Sequence, residues 1–217
     1  MLEGKRAVLL DVDGTLVDSN DAHAMSWVDT LTDHGYDVTF QRVRELIGKG
    51  GDKLLPETTR IEKESEEGRR LAKHRNAVFT EKYLPSLRAF PGARELLQTL
   101  RHRGVELVVA TSAGAREVAA ILEVAHLDDL LPLKTSSDEA DASKPDPDIV
   151  QAALRKAGCR PKEALMLGDT PYDVEAAAKA GVDVIALRCG GWSDADLAGA
   201  LEIHDDAAAL LSHVQKE

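Results

Sequence analysis

The chain has 217 residues, 43% of them hydrophobic and 30% charged, spread along its length, which excludes a disordered chain. It is longer than one ordinary domain and shorter than two, so one core with a sizeable insertion is expected. The formal net charge of −11, with no basic stripe, excludes a nucleic-acid partner and obliges any small anionic substrate to be met by locally placed cations or a metal.

Cys159 and Cys189 suit no disulfide framework and lack metal-ligand spacing. No apolar run reaches membrane-spanning length, and the four apolar residues before Asp11 are too few for a signal-peptide core. The expected location is therefore cytoplasmic, with no membrane partner. Oligomeric state leaves no mark on the sequence.

In chain order, Ala7-Val8-Leu9-Leu10 is a continuous apolar run, as expected of a strand buried on both faces, and it stops at Asp11-Val12-Asp13-Gly14-Thr15. Residues 18–85 then read as helices only. They are Asp21 to His34 ending at Gly35, Phe40 to Ile47 ending at Gly48, a short piece near Lys53, and a long stretch from Ile61 to Leu84 with Leu71, Val78, Phe79 and Tyr83 at helical spacing. The charge run from Glu62 to Arg75 reads as a solvated face laced with pairs such as Glu66 and Arg70.

Beyond residue 85 strands and helices alternate. Helices are expected at Ala93 to Arg103, Ala115 to Ala125, Pro147 to Ala157 and Asp173 to Ala180, and strands at Val105 to Ala110, Ala164 to Leu167 and Val184 to Leu187. This alternation predicts an α/β, doubly wound parallel sheet formed by residues 1–17 and 86–217, with an α-helical cap inserted at residues 18–85.

Asp11 and Asp13 are two apart at a strand end, so their carboxylates project to one side. Like charges this close raise one pKa or demand a cation, and a divalent metal meets that demand. A second acidic strand end, Gly168-Asp169-Thr170-Pro171-Tyr172-Asp173, either supplies further hard oxygen ligands of the kind Mg2+ accepts or simply caps the helix that follows. Thr111-Ser112-Ala113-Gly114 opens a helix with hydroxyls and free backbone N–H groups, a cradle for an anion or an ordinary helix start. Lys144 lies in a loop stiffened by Pro145 and Pro147. These pieces fall in order at strand ends, where α/β folds place their sites.

Taken together, the chain resembles the phosphatases of the haloacid dehalogenase superfamily that carry a helical cap after the first motif, phosphoglycolate phosphatases and β-phosphoglucomutases among them. The first motif is Asp11-Val12-Asp13-Gly14-Thr15-Leu16-Val17-Asp18-Ser19, the second Thr111, the third Lys144 and the fourth Gly168 to Asp173. The resemblance implies magnesium-dependent hydrolysis of a small phosphorylated metabolite. It makes Asp11 the nucleophile that becomes an aspartyl-phosphate, and Asp13 the acid and then base. Metal would be held by the Asp11 side chain, the Asp13 backbone carbonyl and Asp169, supported by Asp173; Thr111, Ser112 and Lys144 would hold the phosphoryl oxygens.

In the cap, His23 and Trp27 match a His-x-x-x-Trp pattern of the mutase group, and Lys49, in the glycine-rich turn Ile47 to Lys53, is a candidate for contact with substrate or a plain connection. Arg75 is a further cap cation. The mutase clamp for a second phosphate falls at Gly51, which favours hydrolysis over β-phosphoglucomutase-like transfer; phosphonate hydrolysis through Lys49 or Lys53 stays open. A receiver-like phosphoacceptor module is disfavoured by Asp13 and the cap.

Overall fold

Side-chain alternation along four buried strands sets up the architecture of the computed structural model, which describes residues 2–216. In β1 (Ala7–Leu10), Ala7 and Leu9 join one hydrophobic cluster while Val8 and Leu10 join another. β2 (Glu106–Ala110), β4 (Ala164–Gly168) and β5 (Asp183–Leu187) divide their residues in the same way, since successive side chains point to opposite faces. Both faces must therefore be covered, and they are. α5 (Ala93–His102), α6 (Ala115–Val124) and α9 (Ala207–Val214) contribute to the cluster containing Val8, and α7 (Asp148–Ala157) and α8 (Pro171–Ala180) to the one containing Ala7.

With β3 (Leu133–Thr135) and β6 (Glu202–His204) at the edges, the six strands run parallel in the order β3-β2-β1-β4-β5-β6. Order reverses at β1, between β2 and β4, so the crevice at that carboxyl end collects the turns after all three. This is the expected doubly wound α/β sheet. β3, β6 and α9 are elements the sequence pattern does not announce, β3 and β6 because three residues are too short for either period to show.

Between β1 and β2 lie α1 (Asn20–Asp33), α2 (Phe40–Arg44), α3 (Gly51–Thr59) and α4 (Glu66–Val78), the helical cap, packed around Leu31, Leu54, Leu55 and Leu71. The single long helix expected from Ile61 to Leu84 is instead three pieces. α4 starts at Glu66 because Ser65 caps it, its side chain accepting from Gly68 N–H, and Phe79–Tyr83 and Leu84–Ser86 continue as a π turn and a 3₁₀ turn. Arg70 pairs loosely with Glu67, at 3.7 Å, rather than with Glu66. The chain leaves and re-enters the sheet side by side: Val17 bridges Ala89, Asp18 N–H donates to Arg88 O, and Phe90 N–H to Leu16 O.

Candidate active site

Asp11 follows β1 directly, and its backbone N–H continues the ladder by donating to Leu167 O at 2.9 Å. The chain then turns at Gly14, whose φ of +79° favours glycine, and a Cβ there would lie 2.3 Å from Asp169 Oδ2. Gly190, in the turn after β5, is equally constrained: its Cβ would lie 1.8 Å from the same oxygen. Asp169 thus sits in a slot between two glycines. The Gly190-Gly191 pair that ends the Val184 to Leu187 strand is the sequence signal for this slot.

Asp169 is fully buried and accepts from Thr15 Oγ1 at 2.7 Å and Asn20 Nδ2 at 2.9 Å. It does not cap α8. Thr170 does so, accepting from Asp173 N–H while Asp173 Oδ2 accepts from Thr170 N–H and Oγ1, a reciprocal capping box.

Lys144, far from being an exposed loop lysine, is 1% exposed, its ammonium 2.6 Å from Asp11 Oδ1 and 2.7 Å from Asp173 Oδ1. Two of its three protons are taken and one remains. Oxygens of Asp11, Asp169 and Asp173 all lie within 4.8 Å of one another. One ammonium faces three buried carboxylates, so negative charge is left over. Burial, opposed by Lys144, pushes Asp11 well above the usual carboxylate range; burial and the charge of Asp173 push Asp169 up to about 7. An all-oxygen, charge-deficient donor set of this kind fits a hard divalent cation.

Asp13 is held from the cap side. Its Oδ1 accepts from Ser19 Oγ at 2.6 Å and lies 2.6 Å from Nε2 of His23. Burial would raise this carboxyl, but the pull and hydrogen bond of His23, with help from Ser19 and Arg75, hold it below the usual range. His23 is stacked on Phe79 at 4.4 Å, and its Nδ1 meets Arg75. Arg75 also bonds Ser26, Asn76 and, across to α6, Glu117. The expected cap cation is buried and engaged on every side, an arrangement hidden from sequence because Glu117 lies 42 residues away.

A cavity of about 370 Å³ opens over Asp11 and Asp13, floored by Thr111 and Ser112 and roofed by His23, Trp27 and the 47–51 turn. Thr111 Oγ1 accepts from Ala113 N–H, leaving its own proton to donate, and Ser112 Oγ is buried without a partner. Such a hydroxyl is free to hydrogen-bond a ligand or water in the cavity. Lys49 lines the cavity but is held by Glu57 at 2.7 Å and lies over the Tyr172 ring. The structure therefore brings Asp11, Asp13, Thr111, Ser112, Lys144, Asp169, Asp173 and His23 to one place, with Lys49 at its edge.

The sequence pattern of haloacid dehalogenase-like hydrolases matches residues 8–187. The chain belongs to the haloacid dehalogenase-like hydrolase family. This haloacid dehalogenase-like hydrolase is a phosphatase. It is 32% identical over 215 residues to a phosphoglycolate phosphatase of Rhodospirillum rubrum, covering 94% of this chain and 89% of the relative. Over 201 residues it is 27% identical to the pyrophosphatase PpaX of Oceanobacillus iheyensis, covering 93% and 90%. A hydrolase from Pseudomonas syringae has the same structure to a TM-score of 0.90 at 30% identity, covering 98% of each chain. Among the described residues no helix is long and apolar enough to cross a membrane.

Proposed function

We propose that this phosphatase hydrolyses a phosphate monoester of a small metabolite with Mg2+ as its metal and Asp11 as nucleophile, residues 18–85 forming the cap over a core of residues 1–17 and 86–217. The observation that carries the reading is Asp11 standing in one cavity with the unpartnered Ser112 hydroxyl, beside a buried carboxylate cluster short of positive charge.

In this reading Asp11, Asp169 and the Asp13 backbone carbonyl hold the metal, with Asp173 in support through its grip on Lys144. When bound, the cation supplies charge that keeps Asp11 ionised and offsets the phosphoryl oxygens. An Asp11 oxygen attacks phosphorus, the bond to the leaving oxygen breaks, and Asp13 delivers a proton to that oxygen. Asp13 then takes a proton from water, whose oxygen displaces Asp11 and releases inorganic phosphate. Thr111, Ser112 and the third proton of Lys144 hold the phosphoryl oxygens throughout.

The protein's own groups push Asp11 up and Asp13 down, the reverse of these roles. A cation held beside Asp11 would lower it and a phosphoryl dianion beside Asp13 would raise it, each in the direction its role needs. On Asp13, Oδ1 is taken by Ser19 and His23, so Oδ2 is the oxygen that carries the proton.

Hydrolysis rather than mutase transfer is supported by Gly51, whose missing side chain would face Trp27, and by Arg75, already engaged with Glu117. The test is steady-state turnover of phosphoglycolate, pyrophosphate, hexose phosphates, p-nitrophenyl phosphate and phosphonoacetaldehyde with and without Mg2+. Metal-dependent release of phosphate from at least one monoester is expected. Failure on the whole panel would sink the proposal.

A further inference from the structure

We infer that Ser143 and Asp52 are positioning residues that couple closure of the cap to the placement of Lys144, an inference that rests on the phosphatase reading of the site. The glycine-rich turn read from sequence as a substrate contact or plain connection is a docking strip. At Gly48, with φ +108°, a Cβ would lie 2.8 Å from Thr170 Cγ2; at Gly50 it would lie 2.6 Å from Ser143 Cβ. The cap backbone therefore rests directly on two core loops, closer than any side chain would allow.

The contacts with the second of these loops bracket Lys144. Gly50 N–H donates to Ser143 Oγ at 3.0 Å, Ser143 N–H donates to Asp52 Oδ2 at 3.2 Å, and Lys53 Nζ donates to Asp146 Oδ2 at 2.5 Å. Residues 140–147 lie outside any helix or strand, between the turn Ser137–Glu139 and α7, so they lack a hydrogen-bond ladder to fix their backbone. Ser143 and Lys144 are nevertheless buried, at 3% and 1% exposure. The core holds the far side of this loop, Lys179 donating to Pro145 O at 2.9 Å, while the cap supplies the acceptor for Ser143 N–H and the Gly50 N–H that Ser143 Oγ accepts. Opening it strips Ser143 N–H of its acceptor and Ser143 Oγ of the Gly50 N–H, and loosens the backbone that aims Lys144 at Asp11.

The test compares the full-length protein with Asp52→Asn, Asp52→Ala and Ser143→Ala, using kcat and KM for p-nitrophenyl phosphate and phosphoglycolate and, separately, the Kd of inorganic phosphate. Asp52→Ala is expected to lose about tenfold in kcat on both esters and to weaken phosphate about as much, the scale of one buried hydrogen bond. Asp52→Asn keeps an acceptor for Ser143 N–H and should restore both to within about threefold, whereas a mere helix-dipole role for the charge would leave Asn as poor as Ala. Ser143→Ala, which leaves α3 untouched, should reproduce the losses.

Wild-type kcat and phosphate affinity in both Asp52→Ala and Ser143→Ala would overturn the coupling, as would a loss confined to the KM of phosphoglycolate, the mark of a leaving-group contact. A wild type that binds phosphate but turns over no ester would overturn the phosphatase reading instead.

Discussion

His23 Nε2 lies 2.6 Å from Asp13 Oδ1, while Nδ1 of the same ring meets Arg75. Arginine can only donate, so Nδ1 accepts, the ring proton sits on Nε2, and His23 donates to Asp13. The cap thus presents the core with an imidazole whose far nitrogen is held by Arg75, itself anchored on the core by Glu117. His23→Ala should cost roughly tenfold to a hundredfold in kcat on alkyl phosphates, because it frees the carboxyl proposed to protonate the leaving oxygen. With p-nitrophenyl phosphate, whose leaving group needs no proton, the loss should be much smaller. Equal losses on both would argue that the histidine merely holds the cap.

Asp11→Asn should remove turnover while leaving the fold in place, since the amide keeps the shape of the side chain and relieves a crowded acidic cluster. Steady-state assays and a thermal melt check both halves. Residual kcat above about a hundredth of wild type would exclude Asp11 as the nucleophile.

Metal removal should expose a pH dependence of stability. Burial raises Asp169 from 3.8 to about 7, so the folded state holds that proton more tightly than the unfolded chain does. The stability this contributes is complete below the unfolded value of 3.8 and is lost as pH rises towards about 7. Asp11 shifts in the same direction. Asp13, Asp146 and Asp183 are lowered instead, and their contributions are lost only as pH falls through the acid range. In chelator, the melting temperature should fall from pH 5 to pH 8, and Mg2+ should raise it more at pH 8. A melting temperature that stays level or climbs across that range would count against an uncompensated acidic cluster.

Gly190→Ala tests the slot around Asp169. Its methyl group would stand 1.8 Å from Asp169 Oδ2, with Arg44 holding the Gly190 carbonyl from the other side at 2.5 Å. Overpacking of this kind costs about 1–3 kcal/mol. The variant should also need more Mg2+ for half-maximal activity, because the displaced carboxylate is one of the proposed ligands. Wild-type stability and metal requirement together would show that the slot has slack.

The layered sheet and the acidic ends of its strands were legible because they depend on local signals. Ala7 to Leu10 is continuously apolar, Asp11 and Asp13 sit at its end, and Gly104, Gly158 and Gly181 stop helices where positive φ is needed. What escaped was set by distance along the chain. Nothing near Arg75 announces Glu117, nothing near Gly50 announces Ser143, and Asn20, which holds Asp169, stands 149 residues from it. Lys49 is a candidate from its charge and its place in the glycine-rich turn, and only the fold shows Glu57, eight residues on, pairing with that charge. The short edge strands were missed for the opposite reason, since three residues hold too little pattern to read.

The bridge between Val17 and Ala89 fastens the exit and the return of the chain to each other before either enters the cap. An insertion stapled at its base offers the sheet the same socket whatever is threaded between the two ends. Such a socket permits grafting: a different helical module, joined at these two points, inherits Asp11 and the carboxylate cluster intact and brings its own roof. Diversification can then proceed by exchange of whole modules as well as by single substitutions. The constraint on a graft is local, for the incoming module must still carry an equivalent of the glycine strip if it is to seat itself on the loops beneath.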